Sequence, residues 1–168
     1  MTDPPAPFSN RLRRTLARLD GLPAFVRARA RSIAIGRAIR FVGTAGVRVL
    51  AVGDRRVDVA LDNARRVQNH IGTVHAAAAA LVAETATGLA VGMNVHDGAV
   101  PVLKSMHVDY VRRASGGLRA VAELPAEDAE RMRADERGEA VVPVRVTDAV
   151  GAEPVRCEMT WAWTPRRP

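Results

Sequence analysis

The hydrophobic pattern of this chain changes period once. Over residues 10–20, Leu12, Leu16 and Leu19 recur at helical spacing, with Arg11, Arg14 and Arg18 on another face. Asn10 suits the N-cap of that helix and Gly21 its stop. Pro23 opens a second predicted helix, running to about Ile39. Beyond it the period falls to two. Val47, Val49 and Ala51 alternate with Arg48 and Leu50, and Val57, Val59 and Leu61 alternate with Arg56, Asp58 and Ala60. Gly53-Asp54 lies between the two runs as a turn, so the pair predicts a β-hairpin. A loop over 62–74 follows, then residues 75–91, HAAAAALVAETATGLAV, a helix of small and apolar side chains. Four more strands are predicted at about 100–112, 117–124, 139–148 and 153–164, with tight connections at Gly116-Gly117 and Ala149-Val150-Gly151. A charged helix over Ala126–Gly138 crosses between the second and third of these.

The order is helical arm, hairpin, one apolar helix, then antiparallel strands. The compact solution is an α+β domain in which a twisted antiparallel sheet of five to six strands wraps a single central helix. Small side chains on that helix let a curved sheet approach closely. The division expected is a tail and helical arm over 1–39 and the sheet-and-helix domain over 40–168. Residues 1–9 hold three prolines and read as a loose tail. An open sheet leaves edges, which are commonly paired across a dimer.

Glu84 is the only charge on the central helix. A carboxylate on a helix buried on most sides costs on the order of several kcal/mol unless it is paired or functional. Just upstream, the polar loop Asn69-His70-Ile71-Gly72-Thr73-Val74-His75 opens into the helix N-terminus. A polar loop, a helix start and a lone buried acid together suggest a hydrolytic site.

Composition narrows the setting. Hydrophobic residues make up 48% and aromatics 4%, so the core is expected to be Ala, Val and Leu rather than stacked rings. No apolar run reaches the roughly 20 residues of a membrane span, and no secretion signal opens the chain. The lone Cys157 cannot form an internal disulfide, which fits a reducing, cytoplasmic setting. The formal charge is +7, almost all of it Arg, with Lys104 the only lysine. Nine arginines over residues 11–40 face one acid, Asp20. Such a stretch favours anionic partners or is simply a solvated surface. His96 and His107 are scattered, no metal-like spacing of His, Cys and acids occurs, and no cofactor is expected.

Asn69, a His six residues later at the helix start (His75), and an acid nine residues after that (Glu84) form a spacing that resembles the hotdog-fold thioesterase superfamily. The similarity is closest to its phenylacetyl-CoA thioesterase-like branch and uncharacterised bacterial relatives. The strand His107-Val108-Asp109-Tyr110-Val111-Arg112-Arg113-Ala114 stands where that family carries an aromatic-containing strand ending in a basic or proline turn. The resemblance covers about residues 40–164 and leaves the arm outside. Two positions depart from it: Ala76-Ala77 stand where two glycines often follow the His, and Arg113 where relatives often have proline.

The resemblance implies an acyl-CoA thioesterase, a homodimer or homotetramer with sites at the subunit interface. Glu84 is the expected general base or nucleophile, with burial raising its pKa. Backbone N–H groups near His75 and Ala76 are the expected oxyanion donors. His75 either orients substrate or caps and packs; Thr73 is another candidate cap. Asn69 either reaches the substrate carbonyl or attacking water, or bonds its own loop backbone. Gly72 and Thr73 in the loop, with Arg112 and Arg113 at the strand end, are the expected substrate contacts, the arginines on coenzyme A phosphates. Ala76 and Glu84 are eight residues apart, about 12 Å along the helix, so both can act on one thioester only from different subunits. The alternative is a non-catalytic hotdog domain that binds acyl-CoA or an acylated partner. A nucleic-acid partner is not expected. A membrane surface is open to the arm, whose Leu12, Leu16 and Leu19 suit either an interfacial helix or packing on the domain.

Overall fold

The computed structural model describes residues 8–166, so most of the predicted proline-rich tail lies outside the described residues. Three helices come first: α1 (Arg11–Ala17), α2 (Ala24–Ala38) and α3 (Arg40–Ala45). The hairpin follows as β1 (Arg48–Val52) and β2 (Arg56–Leu61), then the central helix α4 (Ala76–Gly92). β3 (Ala99–Tyr110), β4 (Leu118–Glu123), α5 (Ala126–Ala134), β5 (Gly138–Val141), β6 (Val144–Asp148) and β7 (Val155–Pro165) complete the chain.

One antiparallel sheet runs in the order β1-β2-β4-β6-β7-β3, with β5 also paired to β7. It wraps α4, as the resemblance implied. Seven strands form where five to six were expected, because the segment predicted as one strand over 139–148 is two. Pro143 interrupts it: proline has no N–H to give a ladder. β5 then pairs with the Trp163–Thr160 stretch of β7, and β6 with Cys157–Val155. The predicted inward residues Val47, Val49, Val57, Val59 and Leu61 are buried, but β2 does not alternate: Ala60 is buried as well, and so is Asp58, which is paired with Arg119 of the neighbouring strand β4. In β1 the alternation fails at Ala51, which is exposed, because the register between β1 and β2 shifts between Val49 and Ala51.

α4 needs its small residues. Ala83, Ala86 and Ala90 are fully buried against the sheet. A Cβ on Gly88 would meet the Trp161 ring at 2.7 Å, so glycine there lets the indole lie on the helix. The core is otherwise Ala, Val and Leu, but two aromatics anchor it. Trp161 donates its indole N–H to Thr87 Oγ1 at 2.9 Å, and the fully buried Trp163 donates to the Asp135 carbonyl at 3.0 Å. Thr85 and Thr87 also donate their hydroxyls to the carbonyls one turn back, Leu81 and Ala83.

The arm is packed, not free. Asn10 caps α1 by accepting from the Arg13 N–H, and its amide donates to the Gly92 and Val95 carbonyls beyond α4. Leu16 is buried, and Leu12 and Leu19 pack against the core, so of the two readings of that leucine face it is the packing one that the structure shows. α3 was not predicted. Between α2 and α3 the backbones of Gly36 and Gly43 touch, and a Cβ on Gly43 would lie 2.5 Å from the Gly36 carbonyl oxygen.

Asp54, in the hairpin turn, pairs with Arg13 of α1 and Arg133 of α5, while Asn94 accepts from Arg133 and donates to the Asp54 carbonyl. Burial alone would raise the Asp54 pKa, but the hydrogen bonds and charges of the two arginines outweigh it and hold the carboxyl below its ordinary value. A depressed carboxyl contributes stability that is present above its unfolded pKa and lost as pH falls through the native one. Asp54→Asn is therefore expected to cost about 1 kcal/mol near neutrality, given the partial exposure. In thermal melts across acid pH, the gap from wild type should close as pH falls. A gap that stays constant would remove the ion-pair explanation.

Candidate active site

Two cavities flank α4, and they separate Glu84 from the expected residues near the helix start; Gly72 and His75 line neither. The first, of about 460 Å³, lies at the helix start and is bounded by Asn69, Thr73, Ala76, Tyr110, Arg112 and Arg113 among others. The second, of about 440 Å³, holds Glu84.

The loop builds the first cavity. Asn69 Oδ1 accepts from the N–H groups of Ile71 and Thr73, both at 3.1 Å, and its amide donates to Thr73 Oγ1 at 2.9 Å. Of its two readings, bonding to its own loop is the one seen, which leaves one amide N–H unspent. Gly72 takes φ +76°, a left-handed conformation that favours glycine, and accepts from the Asn63 amide. Thr73 does not cap the helix. His75 does: its Nδ1 accepts from the Ala77 N–H at 3.0 Å.

That cap decides which donor is free. The His75 N–H, expected as an oxyanion donor, is spent on the Val67 carbonyl at 2.8 Å. Ala78 and Ala79 donate to the His75 carbonyl. Among the described residues, the Ala76 N–H alone in this first turn has no acceptor. It sits at the positive end of a 17-residue helix and at the wall of the cavity. Tyr110, at the end of β3, donates its hydroxyl to the Ala76 carbonyl at 2.9 Å and fixes the peptide that follows. In the sequence Tyr110 belongs to the strand that resembles the family's but not to the expected site, since nothing along the chain shows that β3 ends over the helix start. Arg113 donates to the Ile71 carbonyl at 3.1 Å, and Arg112 lies near Asp148.

Glu84 is elsewhere. It opens into a cavity whose other walls are Leu12, Ile35, Ile39, Val102, Leu103 and Trp161 among others. Three of these, Leu12, Ile35 and Ile39, come from the arm, a segment outside the expected site. Burial raises the Glu84 pKa. No arginine or hydroxyl pairs with the carboxylate among the described residues, so the paired-carboxylate alternative finds no support. Cys157 offers no competing nucleophile: burial, with Asp109 beside it, pushes its thiol up to about 11.

The sequence model of a domain of unknown function (DUF4442) matches residues 27–163. No curated protein matches the chain. Solved structures do. A Pseudomonas aeruginosa protein of unknown function, named a probable thioesterase, is 23% identical over 86% of this chain and 97% of its own, with a TM-score of 0.72. A Haemophilus influenzae thioesterase is 17% identical over 74% and 82%, with a TM-score of 0.62. A variant of a Staphylococcus aureus thioesterase is 18% identical over 75% and 99%, with a TM-score of 0.64. These likenesses establish the hotdog fold.

Proposed function

This chain belongs to the DUF4442 family and has the hotdog fold, and from that premise we propose that it hydrolyses an acyl-CoA thioester. The observation that carries the reading is Glu84: a carboxylate in a largely apolar cavity, with no counter-ion among the described residues, at a cost to the fold that catalysis explains. In the reaction proposed, the Glu84 carboxylate takes a proton from water and the oxygen adds to the thioester carbonyl carbon. The negative charge that develops on the carbonyl oxygen is met by the Ala76 N–H and the helix dipole. Collapse breaks the C–S bond, and the leaving coenzyme A sulfur recovers the proton from Glu84. Arg112 and Arg113 hold coenzyme A phosphates at the rim, Gly72 and Thr73 shape the loop wall, Asn69 orders that loop, and His75 keeps the helix start open. The aliphatic walls around Glu84 suit the acyl group.

Because Ala76 and Glu84 are about 12 Å apart on one helix, the site needs two copies of the chain. The sheet supports this. Its β1 edge is covered by α2, where Ser32 Oγ accepts from the Val49 N–H at 2.8 Å. Its other edge is β3, twelve residues long, paired only with β7, and carrying the exposed Val102, Met106 and Tyr110. A long, unpaired edge that exposes apolar side chains among its polar ones is a pairing surface. The proposed dimer joins two β3 strands, bringing one protomer's helix start toward its partner's acid. Light scattering is expected to give a dimer or tetramer, and Met106→Glu to shift it toward monomer and lower turnover with it. A wild-type monomer that is fully active would overturn the shared site.

The test of function is thiol release from short, medium, long and aromatic acyl-CoAs. Turnover on at least one supports the reading. The second reading, a non-catalytic acyl-CoA-binding domain, is favoured by Ala76 and Ala77, whose methyl groups stand at the helix start where a thioester would approach. Tight binding without turnover on the whole panel would select it.

A further inference from the structure

The arm presents a surface that the proposed reaction does not use. Four large apolar side chains that do not line the Glu84 cavity stand exposed between residues 22 and 41: Leu22, Phe25, Ile33 and Phe41, with Phe25 79% and Phe41 61% accessible. Four residues of α2, Phe25, Arg29, Ile33 and Arg37, repeat at intervals of four and are all exposed, so they form one row along the helix. Apolar and cationic side chains alternate along that row. It borders a groove of about 650 Å³ between α2 and β1, to which Arg48 and Leu50 also contribute.

The charge is one-sided. Residues 21–53 contain six arginines and no acid. Asp20, just before them, pairs with Arg31. Among the described residues, Arg18, Arg29, Arg37 and Arg40 make no ion pair, while Arg48 pairs with Asp62. Phe25 and Phe41 would each gain by leaving water, and the arginines beside them call for an anionic surface. A row that alternates the two fits a flat boundary where apolar and anionic groups lie side by side. No described helix is long and apolar enough to cross a membrane, so the surface would attach rather than span. It lies at the β1 edge, the opposite end of the sheet order from β3, and so stays free in the proposed dimer.

We propose that the α2–α3 surface docks on an anionic lipid bilayer, with Phe25, Ile33 and Phe41 entering the headgroup boundary and Arg29, Arg37 and Arg40 on lipid phosphates. This relocates the membrane contact from α1, whose leucines are packed, to the following helices. It does not depend on thioester hydrolysis.

The experiment is co-sedimentation of the full chain with phosphatidylcholine vesicles, with and without phosphatidylglycerol. Wild type is expected to pellet with the anionic vesicles only, and to weaken about tenfold or more as salt rises from about 0.1 to about 0.5 M. Phe25→Ser with Ile33→Ser, and separately Arg29→Gln with Arg37→Gln, should each weaken binding roughly tenfold while Tm stays unchanged, since all four residues are exposed. Glu84→Gln should bind vesicles as wild type does. Absence of binding to anionic vesicles, equal binding to neutral ones, or indifference to both double variants would overturn the proposal. So would tighter binding to duplex DNA that needs the arginines but not Phe25 and Ile33, which would make this a nucleic-acid surface.

Discussion

Glu84→Gln is expected to lower thioester turnover by roughly a hundredfold to ten-thousandfold, the usual contribution of a positioned general base. It should do so while leaving the fold at least as stable. The two effects have one cause. Burial raises the pKa of this carboxyl, and no cation among the described residues offsets it. A carboxyl whose native pKa lies above its unfolded one favours the fold most at low pH, and that contribution is lost as pH rises through the native value. Near neutrality the charged side chain therefore opposes folding, and the neutral amide relieves it. The gain expected is at most about 1 kcal/mol, because the side chain reaches solvent through the cavity.

The same raised pKa sets the acid limb of the wild-type pH–rate profile. Protonation disables the base, so turnover should fall at higher pH than an ordinary glutamate would give. Thiol release, thermal melts and a pH series on the two proteins separate the outcomes. Loss of turnover with equal or higher Tm supports Glu84 as base. Loss of both would make it a structural residue, and retained turnover would remove it from the mechanism.

Trp163→Ala is expected to cost about 3–5 kcal/mol, enough to unfold much of a domain whose whole stability is of the order of 5–15 kcal/mol. The indole is fully buried, lies under Gly138 where a Cβ would be 2.3 Å from the ring, and donates to the Asp135 carbonyl. Arg131 sits over it at 5.9 Å. Removing it empties the junction between α5, β5 and β7, which rigid strands cannot close. Trp163→Phe keeps most of the volume and loses the N–H donor, so its cost should be nearer 1–2 kcal/mol. Urea unfolding of the two variants checks the order. A Trp163→Ala loss below about 1 kcal/mol would mean that the junction collapses freely.

Most of the fold was legible because the period of the hydrophobic pattern is a local property. The hairpin, the central helix and the strand at residues 99–110 lie within a few residues of where the pattern puts them. The errors have local physical reasons too: a proline that splits one strand, a bulge that turns Ala51 outward, and an α3 too short to show a period. The strand that carries Trp161 and Trp163 was legible, but not that two indoles out of so few aromatics would pin the helix and the crossover.

For the site, the ingredients were readable along the chain: a polar loop, a helix start and one lone acid on an apolar helix. Spacing along a helix also determined that Ala76 and Glu84 are too far apart to meet on one thioester. Which groups remain available depended on the folded packing. The Ala76 N–H stays free because His75 folds back on Ala77 while its own N–H goes to Val67. Asn69 is occupied by its own loop. Leu12, Ile35 and Ile39 reach the Glu84 cavity from the other end of the sequence. Side-chain type fixes what a residue can do, but hydrogen-bond capacity is finite, and only long-range packing settles where it is spent.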